Sequence, residues 1–243
     1  MFTKLFPSAR PPRVPEGEKI YAIGDVHGCA ALLEQLLALI EKDSAGAAYR
    51  LIFLGDYVDR GPDSKRVLDI LLALREERPT AIFLMGNHER AMLDFIADGR
   101  LGAEWLHWGG DKTAESYGVT DIWSREPEEV SRALRAAAPG RHVEFLEMLP
   151  FCVEFGDYAF VHAGFKPGRP LTLQTEDDML WIRGEFHNAA PQERPDKVVV
   201  HGHHPVKKPL DAGWRIDVDT GAVWTDCLTA VVLDGATRRF IST

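Results

Sequence analysis

The chain has 243 residues, 45% of them hydrophobic and 27% charged, and a formal charge of −9 at neutral pH. That length buries a full core, and the composition is that of a soluble globular protein. The acidic balance argues against broad electrostatic capture of nucleic acid or of an anionic membrane, so an anionic ligand needs a local centre of positive charge.

Residues 1–18 carry four prolines and no apolar core of a signal peptide, so they predict an irregular leader. No apolar run approaches the ~20 residues that span a bilayer. Cys29, Cys152 and Cys227 show no C-x-x-C spacing and read as reduced thiols of a cytoplasmic protein.

Three short apolar runs follow: Lys19 to Ile23, Arg50 to Leu54 and Thr80 to Met85. They end respectively at Gly24-Asp25, Gly55-Asp56 and Gly86-Asn87, and these ends recur every 31 residues. Between them, leucines at 32, 33, 36, 37 and 39 and apolar residues from Val67 to Leu74 have helical spacing. About thirty residues per repeat is the size of a βαβ unit, so this region predicts β-α-β-α-β with buried parallel strands. In such sheets, sites form beyond the carboxyl ends of the strands.

A helix is expected through residues 88–97, followed by a Trp- and Gly-rich stretch and helical patterns near 126–138 and 141–149. Residues 98–149 thus read as a helical insert over the site. From about 150 the pattern turns β-rich: FCVEF, YAFVHAG, KVVVHGHHP, RIDVDTG and CLTAVVLD. Gly156-Asp157 predicts a hairpin between the first two. Trp105, Trp108 and Tyr117 suit either the wall of a substrate entrance or a core.

The polar residues at these strand ends are Asp25 and His27, Asp56 and Asp59, Asn87 and His88, His162, and His203. Oxygen and imidazole donors without cysteine suit manganese, iron or zinc in a reactive site better than a thiolate structural site. Singly, each has a plainer explanation. The Gly-Asp pairs and Asn87 suit helix caps, His162 a core position and Arg60 a solvated turn. Equal register at three strand ends is not required by three independent caps.

In order, GDVHG, GDYVDRG, GNHE, VHAG and GH resemble the phosphoprotein phosphatase branch of the calcineurin-like metallophosphoesterases, over Ile20 to Asp234. The resemblance implies one α/β domain over 1–243, a four-layer α/β/β/α sandwich of two mixed sheets flanked by helices. It also implies two divalent metal ions, manganese foremost, with iron, zinc or cobalt as alternatives. Asp25, His27 and Asp56 would hold one. Asp56, Asn87, His162 and His203 would hold the other, with Asp56 bridging and His201 and His204 as supporting groups. Two such ions would leave about +2 after the ligand carboxylates, a local sink for phosphate on an acidic protein.

The resemblance further implies direct attack on phosphorus by a hydroxide bridging the metals, with His88 as general acid and Asp59 orienting it. Arg60, Arg183 and Asn87 would hold the phosphate. The expected substrate is a phosphoprotein, as phosphoserine or phosphothreonine, or a small phosphate ester. The alternative is a symmetrical dinucleoside tetraphosphatase, which shares the ligand motifs. Asp59 and Glu89 favour the phosphatase branch. The lack of a basic stripe opposes a nuclease, and the intact ligand and His–Asp positions oppose a non-catalytic scaffold.

Overall fold

The computed structural model describes residues 10–243. The first nine residues of the expected leader lie outside the described residues. From Arg10 to Gly17 the chain forms neither helix nor strand. It is nonetheless anchored: Val14 is buried and donates its N–H to the Gly235 carbonyl, while Arg13 accepts from the Asp157 N–H.

The expected β-α-β-α-β run is present. Strands β1 (Lys19–Ile23), β2 (Arg50–Phe53) and β3 (Ile82–Phe83) lie side by side and parallel, joined by helices α1 (Ala30–Ser44) and α2 (Ser64–Glu77). Helix α1 buries Leu33, Leu36 and Ile40, and α2 buries Val67, Leu68, Leu71 and Leu72. Asp63 caps α2 by accepting from the Arg66 N–H at 3.2 Å. Strand β3 is shorter than its apolar run because the chain leaves β2 after Leu84, and Met85 N–H bonds instead to the Pro150 carbonyl.

Helix α3 (Asn87–Asp98) follows, then a helical stretch over 102–116 broken at Gly109 (φ +109°), then α4 (Pro127–Ala137) and α5 (Gly140–Glu147). Strands β4 (Cys152–Phe155) and β5 (Tyr158–Val161) form the predicted hairpin around Gly156, whose φ is +58°. Next come short helices α6 (Glu176–Trp181) and α7 (Gly184–His187), and strands β6 (Val198–His201), β7 (Leu210–Asp211) and β8 (Arg215–Asp217). Helix α8 (Ala222–Thr225) leads to the β9 (Thr229–Asp234) and β10 (Thr237–Ser242) pair. Strand β10 falls outside every sequence-predicted element.

The strands form two mixed five-stranded sheets, ordered β10-β9-β1-β2-β3 and β4-β5-β6-β8-β7. Alternation along each strand assigns the two faces. Ile20, Ala22, Ile52 and Leu54 meet Tyr158, Phe160, Val200 and Ile216 between the sheets. Tyr21, Ile23, Leu51 and Phe53 pack outward on α1, α2 and α3. On the far side, Val161 and Val199 pack with Phe165, Met179 and Phe186 from the α6–α7 region. This is the expected helix–sheet–sheet–helix sandwich, and it buries strand residues on both faces. Among the described residues, no helix is long and apolar enough to cross a membrane.

Candidate metal centre

Parallel pairing brings the ends of β1, β2 and β3 to one edge, and the ends of β5 and β6 approach it from the second sheet. The turn after β2 passes very close to the turn after β3. A Cβ on Gly55, whose φ is +103°, would stand 2.6 Å from the Gly86 nitrogen. Glu89 joins these turns. Buried on the first turn of α3, it accepts from the N–H groups of Asp56 (2.7 Å), Tyr57 (2.7 Å), Val58 (3.1 Å) and Gly86 (3.0 Å). One carboxylate thereby satisfies four buried donors and fixes the backbone that presents Asp56 and Asp59.

Two donor groups share Asp56. In the first, Asp56 Oδ1 lies 3.4 Å from His162 Nε2, which is 2.8 Å from Asn87 Oδ1 and 3.1 Å from His203 Nδ1. All four predicted ligands of the second metal therefore converge. In the other, Asp56 Oδ2 lies 3.4 Å from His27 Nε2 and 4.0 Å from His88 Nε2. Asp25 belongs to neither group of converging donors. Its carboxyl oxygens lie 3.1 and 3.3 Å from the His203 backbone nitrogen, resting on Gly202, where a Cβ would collide with Oδ1. Burial, then Asp219 and Asp56, push the Asp25 pKa well above the usual carboxylate range. Positive charge beside it would favour its ionised form.

The imidazoles are set to act as ligands. His27 Nδ1 donates to the Val58 carbonyl (2.8 Å) and His162 Nδ1 to the Leu54 carbonyl (3.0 Å), which leaves each Nε2 lone pair aimed inward. Burial lowers the pKa of His27, His162 and His203, the last to about 2, so the rings are neutral. Neutral imidazoles around a buried carboxylate, with Asn87 as a further oxygen donor, fit divalent ions that accept N/O ligands.

His88 Nδ1 donates to Asp59 Oδ2 at 2.6 Å, and both side chains are buried. Burial disfavours charge on His88, yet the Asp56 charge and the Asp59 hydrogen bond outweigh it and raise its pKa. The predicted insert supplies unexpected partners behind this pair. Trp105 Nε1 donates to Asp59 Oδ2 (2.8 Å), Thr113 Oγ1 donates to Asp59 Oδ1 (2.6 Å), and the Gly109 carbonyl accepts from Arg60 N–H (3.0 Å). Trp105 and Tyr117 are core residues, whereas Trp108 is half-buried, its ring 5.7 Å from that of Trp181.

Arg60 reaches across the centre, with Nη1 2.6 Å from His27 Nε2 and Nη2 2.8 Å from His88 Nε2. Its guanidinium also lies over Trp224, 5.2 Å from the ring centroid, and Trp224 is 63% exposed. Arg183 donates from Nε to His203 Nε2 at 3.1 Å. His201 and His204 make no contact with Asp56. Thr113 and Trp224 were not among the residues singled out in the sequence, Trp105 was read only as an entrance or core residue, and Glu89 served only to discriminate between branches.

The family described as calcineurin-like phosphoesterase matches residues 18–225. The chain belongs to that family and is a metallophosphoesterase, a hydrolase with Asp and His groups placed for metal ions. It is 28% identical over 235 residues to the asymmetrical bis(5'-nucleosyl)-tetraphosphatase PrpE of Oceanobacillus iheyensis, covering 87% of each chain. It is 29% identical over 217 residues to serine/threonine-protein phosphatase 1 of Salmonella typhimurium, covering 86% of this chain and 88% of that one. Its fold is also that of a protein serine/threonine phosphatase from Saccharomyces cerevisiae, at a TM-score of 0.60 and 17% identity, over 96% of this chain and 83% of the other.

Proposed function

We propose that the protein hydrolyses phosphomonoesters, with phosphoserine and phosphothreonine in proteins as the substrate class, using His88 as general acid. The observation that carries this reading is the buried His88–Asp59 pair at 2.6 Å. The alkoxide of serine or threonine is a poor leaving group and needs a proton as it departs. The phosphate released from a phosphoanhydride does not. A positioned, charge-stabilised imidazole is therefore best explained by ester cleavage.

Asp25, His27, Asp56, Asn87, His162 and His203 would hold two divalent ions, which supply an activated water and positive charge for the phosphate. Asp25 would turn from the His203 N–H to reach its ion. For His203 Nδ1 to be a ligand, its proton must sit on Nε2, and the Arg183 donor must turn away toward substrate. Arg60 would likewise leave the two imidazoles and present its planar fork to phosphate oxygens, freeing His88 Nε2 to carry the proton. Asn87 would lie within reach of the same phosphate.

A second reading is hydrolysis of dinucleoside tetraphosphates. The name of the Oceanobacillus relative favours it, as does the exposed Trp224 indole beside Arg60, a surface on which a nucleobase can stack. A substrate panel under manganese separates the two. Phosphoserine and phosphothreonine peptides turned over with kcat/KM above that of diadenosine tetraphosphate support the ester reading. The reverse order assigns the second. Unchanged rates after chelation would refute metal dependence in either.

A further inference from the structure

A separate group of metal-capable side chains lies on the outer face of the second sheet. His201 closes β6 and Asp217 closes β8, and the two are register partners in adjacent parallel strands. Both are buried. His187 ends α7, which covers that face, and its ring stacks on His201 with centroids 5.6 Å apart. One donor atom from each of the three lies within 4.8 Å of the other two.

An independent observation concerns hydrogen bonding. Among the described residues, the buried side-chain polar atoms lacking a partner are His187 Nε2 and Asp217 Oδ2. Both belong to this group, and leaving such atoms unpaired is costly. His201 Nδ1 donates to the Gly202 carbonyl at 3.0 Å, so its Nε2 presents a lone pair, 3.9 Å from Asp217 Oδ2. Arg215 Nη1 lies 3.2 Å from His201 Nε2 but 3.6 Å from Asp217 Oδ2, too far to hydrogen-bond the carboxylate.

We infer that His187, His201 and Asp217 form a further divalent-metal site, distinct from the centre around Asp56. Two imidazoles and a carboxylate suit zinc, and the Gly202 carbonyl already fixes the His201 tautomer as a zinc ligand requires. His204, exposed and with its ring 4.7 Å from that of His187, is placed to be the fourth ligand. Arg215 turns toward solvent along Trp214 when the ion enters, since the two cations compete for His201 Nε2. The ion ties α7 to β6 and β8 and stiffens the turn from His201 to His203. It has a structural role and touches no substrate.

The test is a metal count on the full chain. Wild type, His187→Ala and Asp217→Asn are stripped with a chelator, loaded with zinc, dialysed against a weak chelator and analysed by plasma mass spectrometry. The expected result is the loss of about one zinc per chain in each variant relative to wild type. His187→Ala, at the half-buried end of a short helix, keeps p-nitrophenyl phosphate turnover under manganese within about twofold. Equal zinc content in wild type and both variants overturns the site. If Asp217→Asn does not fold, His187→Ala and His187→Gln decide the matter alone. Asp56→Asn is the control for the other centre. It is expected to lose the ions there and still differ from the Asp56→Asn/His187→Ala double variant by one zinc, so failure of one assignment is distinguishable from failure of the other.

Discussion

Asp59 and His88 form a buried pair, 2.6 Å from carboxylate to ring nitrogen, and the carboxylate also takes hydrogen bonds from Trp105 and Thr113. A carboxylate held from three sides does not rotate, so the imidazole it orients keeps one tautomer and one direction. The proposed proton transfer depends on that rigidity.

His88→Asn is predicted to lower kcat by about 10²–10⁴-fold with metal content retained. The loss should be larger for phenyl phosphate than for p-nitrophenyl phosphate, whose leaving group needs less protonation. Equal losses for the two esters would remove His88 from the acid role.

Trp105→Phe keeps a buried ring and deletes the indole N–H that reaches Asp59. Partners of this kind act through the group they orient, and kcat is expected to fall about tenfold with KM for p-nitrophenyl phosphate unchanged. A rise in KM at constant kcat would show that Trp105 bears on substrate binding instead.

Glu89→Gln replaces two acceptor oxygens by one oxygen and an amino group, beneath the N–H groups of Asp56, Tyr57, Val58 and Gly86. Buried donors would be left unpaired. The expected loss of stability is about 2–4 kcal/mol, read as a shift of the urea midpoint at constant slope. A change below about 0.5 kcal/mol would mean that the turns hold themselves.

Asp43, at the end of α1, accepts from Tyr21 Oη on β1 (2.6 Å) and from Arg239 Nη2 on β10 (2.5 Å). The Arg239 hydrogen bond, opposed by partial burial and helped by Tyr21, holds its pKa down at about 2. An unfolded aspartate titrates near about 3.9. Its folded pKa is depressed, so the stabilisation is full above about pH 4 and is lost as pH falls toward 2. The contribution is about 1–2 kcal/mol, reduced from the full shift because the group is partly hydrated. Asp43→Asn should flatten the acid limb of stability against pH in that window, and an unchanged limb would discount the link between β10 and α1.

The strand ends were legible in the chain because each apolar run stops at a glycine followed by an oxygen donor. That periodicity aligned Asp25, Asp56 and Asn87 at three equivalent strand ends, whereas His162 and His203 were joined to them only by the resemblance that VHAG and GH carry. Strand β10 was not legible. Its segment, Thr237 to Ser242, carries two arginines and only partly buried apolar residues, as an edge strand can. The role of Trp105 was hidden for another reason. It contacts Asp59 across 46 residues of chain, and an indole in a helical stretch looks like any core residue until its N–H is seen to have a partner. The placement of Asp25 against the His203 backbone N–H was also beyond sequence reasoning, since it joins residues 178 positions apart in the chain.

Five residues at or beside the centre, His27, Asp56, Asp59, Arg60 and His203, have positive φ although none is glycine. Each such backbone costs on the order of 1–3 kcal/mol in isolation. The peptide GDYVDRG cut free of its scaffold would relax and scatter its side chains. Anyone moving this chemistry to another protein must therefore transplant the Glu89 clasp and both sheet edges together with the motifs, because the reactive arrangement is a property of the architecture that holds the loops bent.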